Sequence, residues 1–160
     1  MQVIAIVFQS LERLLLKAIT NNYFNNCWLV LKIIILERLS SVFEIESHRF
    51  DPFFVDRLAA LCEECNFDGF LINMELPNIP GHLVRMLQQF VKELRDRLKK
   101  ISPFHQVIWY DSIDSHGYLN YQNKLNGENR PYFNNADGIF LNYWWKPNDL
   151  LMTKQAAGKR

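Results

Sequence analysis

Cysteine is scarce in this chain: Cys27, Cys62 and Cys65 are the only three in 160 residues. An odd number without regular spacing argues against a small secreted domain stapled by disulfides. Cys62 and Cys65 form a C-x-x-C, but no second pair and no histidine at ligand spacing accompany them, so they read as reduced thiols on a helix rather than a zinc or redox centre. An excess of one charge is also missing, with 18 Lys and Arg against 17 Asp and Glu. Such balance provides neither the basic field that attracts nucleic acid nor an acidic, solvating tail. Long apolar runs are absent too. The stretch from Cys27 to Leu36 is broken by Lys32, closed by Glu37 and Arg38, and falls short of the ~20 residues that span a bilayer. Residues 1–8 have no basic start, and Glu12 and Arg13 interrupt the chain before an apolar region of normal length, so no signal peptide is expected. The expectation is a cytosolic protein with neither nucleic-acid nor membrane partners. Glycine is sparse, and Gly69, Gly81, Gly117, Gly127 and Gly138 are spaced as turn residues rather than as a phosphate loop. His48, His82, His105 and His116 are scattered and read as surface residues, and no metal or organic cofactor is expected.

Apolar and aromatic residues are plentiful: 49% of the chain is hydrophobic, including 12 Phe, 6 Tyr and 4 Trp. That suffices for one globular domain with a real core, and abundant aromatics with balanced charge suit a carbohydrate or another neutral ligand. Residues 1–47 carry apolar clusters around Val3–Phe8 and Trp28–Leu36, separated by an Asn-rich stretch; helices, strands or a mixture fit them, and no motif assigns them a function. From Phe50 onward the pattern sharpens. Asp51-Pro52 reads as a helix start. Phe54, Val55, Leu58, Leu61, Cys62 and Cys65 then recur at helical spacing, and Asn66 can end that helix. A strand over 67–75, a long amphipathic helix over 81–100, a strand over 106–110, a short helix over 119–126, a strand over 137–143 and a last helix capped by Asn148 or Asp149 come next. This alternation predicts an α/β fold of parallel strands with helical crossovers.

Each strand has an apolar body and a polar or aromatic exit. Asn73 and Glu75, two residues apart, share one face of their strand. Tyr110 and Asp111, then Asn142, Tyr143 and Trp145, are expected on the same rim, the end at which parallel barrels carry catalytic groups. Two polar groups closing an apolar strand are costly to bury unless something uses them.

In these residues the chain resembles the cytosolic endo-β-N-acetylglucosaminidases of glycoside hydrolase family 85. The runs that carry the resemblance are Phe67-Asp68-Gly69-Phe70-Leu71-Ile72-Asn73-Met74-Glu75, Trp109-Tyr110-Asp111-Ser112 and Asp137-Gly138-Ile139-Phe140-Leu141-Asn142-Tyr143-Trp144-Trp145, together with Gln122, Leu125-Asn126 and Asn129. It extends over roughly residues 50–158, leaving 1–47 outside it. The resemblance implies a (β/α)8 barrel, of which about 250 residues make a whole. Residues 48–160 would then be a partial catalytic barrel preceded by an apolar segment of open fold over 1–47. It also implies hydrolysis of the chitobiose core of N-linked glycans or glycopeptides, high-mannose ones included, by a retaining mechanism. There the substrate's own 2-acetamido oxygen attacks and an oxazolinium forms, an exception to the two-carboxylate scheme. Glu75 would be the general acid, kept protonated by apolar surroundings such as Trp109 and Trp145. Asn73 would orient the acetamido group, and Tyr110 would contact it. Trp145, Tyr121, Trp109 and Asn142 would line the sugar site. Two residues depart from the family pattern: Tyr121 replaces a usual Trp, and Trp144 a usual Asn. Two other readings stand beside this one. A chitinase-like hydrolase would normally carry Asp at position 73, and an inactive glycan-binding or non-functional fragment would carry the motifs without the chemistry.

Overall fold

The structure is a computed structural model that describes residues 2–7, 27–33, 43–44, 49–50 and 52–158. Strands β1 (Gln2–Val7) and β2 (Cys27–Ile33) come first, followed by a short antiparallel pair, β3 (Phe43–Glu44) and β4 (Arg49–Phe50). Helix α1 (Pro52–Glu64), strand β5 (Gly69–Met74), helix α2 (Gly81–Ile101) and strand β6 (Gln106–Tyr110) follow. Helix α3 (Arg130–Asn135), strand β7 (Gly138–Phe140) and helix α4 (Pro147–Ala157) complete the described order. The main sheet has five strands in the order β1-β2-β5-β6-β7, every pair parallel. The sheet therefore advances in one direction as the chain proceeds, without the reversal of a doubly wound fold.

Pairing crosses the boundary expected near residue 47, because β2 lies directly against β5 with Leu31 opposite Ile72 and Lys32 opposite Asn73. The two apolar clusters that sequence pattern leaves open between helix and strand thus contain strands of the same sheet. The Asn-rich stretch between them, the proposed cap at Asp51 and His48 lie outside the described residues.

Helix α1 ends where its sequence suggests. Asn66 takes a left-handed conformation (φ 53°), while Phe67 N–H donates to the Cys62 carbonyl (2.9 Å) and Asn66 N–H to that of Glu63 (3.2 Å). This is the Schellman arrangement, in which an Asn can replace the usual glycine. Cys62 itself is buried and donates its thiol to the Phe67 carbonyl at 3.2 Å. Burial, and after it the Asp68 charge, pushes that thiol up to about 12, which leaves it an inert packing group. Helix α4 starts at Pro147 rather than after an Asn148 or Asp149 cap; Asp149 instead accepts the Lys146 N–H (2.8 Å) from inside the first turn.

The core forms on one face of the sheet. Phe70, Ile72, Met74, Val107 and Trp109 are all at most 1% exposed, against the buried stripe Leu83, Leu87, Phe90, Val91, Leu94 and Leu98 of α2. Each fully buried large side chain contributes about 1.5–3 kcal/mol. Gly69 opens β5 at φ 148°, and a Cβ there would lie 1.8 Å from the Gln106 carbonyl oxygen, so only glycine lets β5 and β6 approach at this point.

Two expected elements differ. The helix over 119–126 is absent, because side chains capture the backbone donors a helix would use. Asp111 accepts the N–H groups of Gln122 (3.3 Å) and Asn123 (2.6 Å); just before the segment, Asp114 accepts those of His116 (2.9 Å) and Tyr118 (3.0 Å). The strand expected over 137–143 is shorter, since its neighbour β6 ends at Tyr110, opposite Phe140.

Trp109, expected in the sugar site, is in the core. It is paired in register with Ile72 and Ile139, is 0% exposed, and stacks flat on Tyr132 of α3 with ring centroids 4.0 Å apart. Alternation along β6 sends Trp109 and Tyr110 to opposite faces, so it neither lines a cleft nor shields Glu75. Replacing Trp109 with Ala should cost about 3–5 kcal/mol of stability in denaturant unfolding. A loss below about 1 kcal/mol would contradict its placement.

Candidate active site

The face of the sheet opposite the core carries Leu71 and Asn73 on β5, Ile108 and Tyr110 on β6, and Phe140 on β7. At the exit of β5 the Asn73 amide donates to Glu75 Oε1 at 3.4 Å, so the two side chains emerge together as their spacing requires. Both are half-buried. Asn73 Oδ1 is buried and has no hydrogen-bond partner among the described residues. A buried orphan acceptor is expensive unless a ligand supplies the donor. The backbone between the pair is held by Ser112, whose hydroxyl donates to the Met74 carbonyl at 2.9 Å and ties the β5 exit to that of β6.

Tyr110 stands at the end of β6, 6% exposed, with its hydroxyl donating to Asn142 Oδ1 at 3.0 Å. Three rings surround it: Tyr121 edge-on at 6.3 Å, Phe140 at 6.0 Å and Tyr143 at 6.4 Å. Burial, then the neighbouring Tyr121, Glu75, Tyr143 and Asp111, raise its phenol to about 12. The hydroxyl therefore keeps its proton throughout the range in which enzymes work.

Of the residues expected in the site, Asn73, Glu75, Tyr110, Asn142 and Tyr121 gather at these strand exits. Trp145 lies on the loop leading to α4, 44% exposed, beside the still more exposed Trp144 (80%) and Tyr143 (74%). Trp109 is excluded by its burial. The sequence motif contains Asp111 and Ser112 without revealing what they do. Asp111 is 1% exposed and accepts Asn129 Nδ2 (2.9 Å) besides the backbone donors of Gln122 and Asn123. Burial raises its carboxyl, against the pull of those hydrogen bonds. Asn123 belongs to none of the motifs. It is left-handed (φ 57°), and its side chain bonds to Asn142 and to the backbone of Trp144. Its only signal in the sequence is its place among the many amides of residues 120–129.

The family model described as glycosyl hydrolase family 85 matches residues 15–160. The chain belongs to glycosyl hydrolase family 85. That match begins within the segment that motif reading leaves outside the family, in keeping with the continuous sheet. Cytosolic endo-beta-N-acetylglucosaminidase of Gallus gallus is 40% identical over 104 residues, covering 65% of this chain and 14% of the relative. Cytosolic endo-beta-N-acetylglucosaminidase 2 of Arabidopsis thaliana is 38% identical over 107 residues, covering 67% of this chain and 15% of the relative. The chain thus spans about one-seventh of the length of these relatives. Among solved structures, the glycoside hydrolase domain of Endo-D from Streptococcus pneumoniae R6 superposes with a TM-score of 0.67 at 18% identity, over 82% of this chain and 23% of that one, a likeness of fold. Among the described residues no helix is long and apolar enough to cross a membrane.

The raised phenol gives a direct test. Because its folded-state value lies above the ordinary 10.0, the stability Tyr110 contributes is intact below pH 10 and lost as pH climbs through about 12. Subtracting the phenolate absorbance titration of Tyr110→Phe from that of the native chain should isolate a group titrating near pH 12. A difference curve centred near pH 10 would contradict the buried placement.

Proposed function

We propose that the protein containing this chain is a cytosolic endo-β-N-acetylglucosaminidase that cleaves the chitobiose core of N-linked glycans, those of high-mannose type included. In this reading the one-directional order of parallel strands belongs to a (β/α)8 barrel, with residues 48–160 supplying part of its catalytic end and β1 and β2 extending the same wall. The observation that carries the proposal is the Asn73–Glu75 pair, a carboxyl and an amide 3.4 Å apart, with a buried acceptor on the amide that has no partner among the described residues.

The chemistry follows from those groups. The acetamido N–H of the sugar donates to Asn73 Oδ1, which turns the acyl oxygen towards the anomeric carbon and stabilises the positive charge that grows on nitrogen. The acyl oxygen forms a bond to that carbon as the glycosidic bond breaks, and Glu75 gives its proton to the departing oxygen. Water then opens the oxazolinium, losing a proton to Glu75, and the original configuration is restored. A retaining scheme with a protein nucleophile would need a second carboxylate at the site. Asp111, the neighbouring carboxylate, is fully engaged in holding the 122–129 loop. Tyr121 and Trp145 offer aromatic faces for the apolar sides of sugar rings.

In the full-length protein, Glu75→Gln should reduce glycan release from a high-mannose glycopeptide by roughly 10²–10⁴-fold. Asn73→Ala should also cripple release, through kcat rather than KM. Undiminished release by the Glu75 variant would remove that residue from the mechanism. Cleavage of chitin oligomers in preference to the glycopeptide would point to a chitinase-like activity instead.

A further inference from the structure

The Tyr110 hydroxyl stands at one end of a chain of amides whose direction is fixed from the other end. Trp144 N–H donates to Asn123 Oδ1 at 3.2 Å, and a backbone N–H can only donate. That contact settles which end of the Asn123 amide faces the 142–144 turn, without the ambiguity usual for an amide side chain. Asn142 meets the same oxygen at 3.0 Å and must do so through its NH2 group. Its own oxygen is then left for Tyr110, 3.0 Å away, and the phenol must supply the proton of that bond.

Asn123 is itself held on every side. Its N–H donates to Asp111 Oδ2 (2.6 Å), its Nδ2 donates to the Tyr121 carbonyl (3.3 Å), and its left-handed backbone (φ 57°) is a conformation Asn tolerates better than most residues. It therefore clasps the loop carrying Tyr121 to the loop carrying Trp145.

We propose that Asn123 is a positioning residue that acts through Asn142 to commit the Tyr110 proton away from the sugar, so that the hydroxyl cannot donate to the acetamido oxygen. This rests on the glycosidase reading. A donor on the acyl oxygen would draw electron density from the atom that must attack the anomeric carbon; a hydroxyl whose proton is spent on Asn142 leaves that oxygen the better nucleophile. Asp111 anchors the arrangement from the far end, and its own carboxylate never needs to meet the sugar.

The test is a double-mutant cycle in the full-length protein, with a high-mannose glycopeptide as substrate and thermal melts as a folding control. Asn123→Gly keeps the left-handed backbone and deletes the amide; it should lower kcat roughly 10- to 100-fold with KM nearly unchanged. In a Tyr110→Phe background the same change should cost less than about twofold, because the group it orients is gone. Asn142→Leu, which removes the acceptor of the Tyr110 proton, should behave alike and serves if Asn123→Gly does not fold. Equal losses with and without the Tyr110 hydroxyl, or a loss confined to KM, would overturn the inference alone. A native protein that leaves the glycopeptide intact would overturn the glycosidase reading, and this inference with it.

Discussion

The alignment of β5 with β6, Ile72 opposite Trp109, is the constraint from which the remaining arrangement follows. Side chains alternate along a strand, so this single pairing sends Phe70, Ile72, Met74, Val107 and Trp109 to the helix layer and Leu71, Asn73, Ile108 and Tyr110 to the other face. A slip of one residue would bury an amide and expose an indole, and the core therefore enforces the register. Gly69 adds a steric pin, since the Gln106 carbonyl occupies the space a Cβ would need. The neighbourhood of the polar exits is thus a consequence of apolar packing on the reverse side of the sheet.

Beyond the strand ends, hydrogen bonds take over from packing. Asp111, Asn129 and Asn142 are each at most 5% exposed, and groups so buried are tolerable only when their bonding capacity is met. Asp111 meets it by collecting Asn129 Nδ2 and the backbone N–H groups of Gln122 and Asn123. The same bonds that offset the burial of a carboxylate shape the loop that brings Tyr121 against Tyr110. Stability and site geometry are linked here by one side chain, which is why the rim holds a defined shape without regular secondary structure.

What can be read from the sequence tracks the range of the forces involved. Periodicity is local, and the stripe of α2, the strand cores and the Asn66 helix end are all legible from it. The side-by-side exit of Asn73 and Glu75 comes from two-residue spacing alone. Trp109 is misplaced by its motif, because a motif read as a unit hides the alternation between adjacent residues; its face is decided by Ile72 and Tyr132, which are distant in sequence. The 119–126 segment resembles a helix because the competitor for its backbone donors, Asp111, lies outside it in sequence. Residues before 47 carry no motif, yet β2 pairs with β5, since an apolar run in a parallel sheet bears no signature of its neighbour.

The claim on which the account rests is that Asn73, Glu75 and Tyr110 jointly receive the N-acetyl group of a sugar. A crystal structure of the full-length protein with a chitobiose-containing glycan bound would test it most directly. The acetamido nitrogen should lie within hydrogen-bonding distance of Asn73 Oδ1, Glu75 beside the glycosidic oxygen, and the Tyr110 hydroxyl should still be bonded to Asn142. A sugar whose acetamido group lies away from Asn73, or a protein carboxylate aligned behind the anomeric carbon, would contradict it.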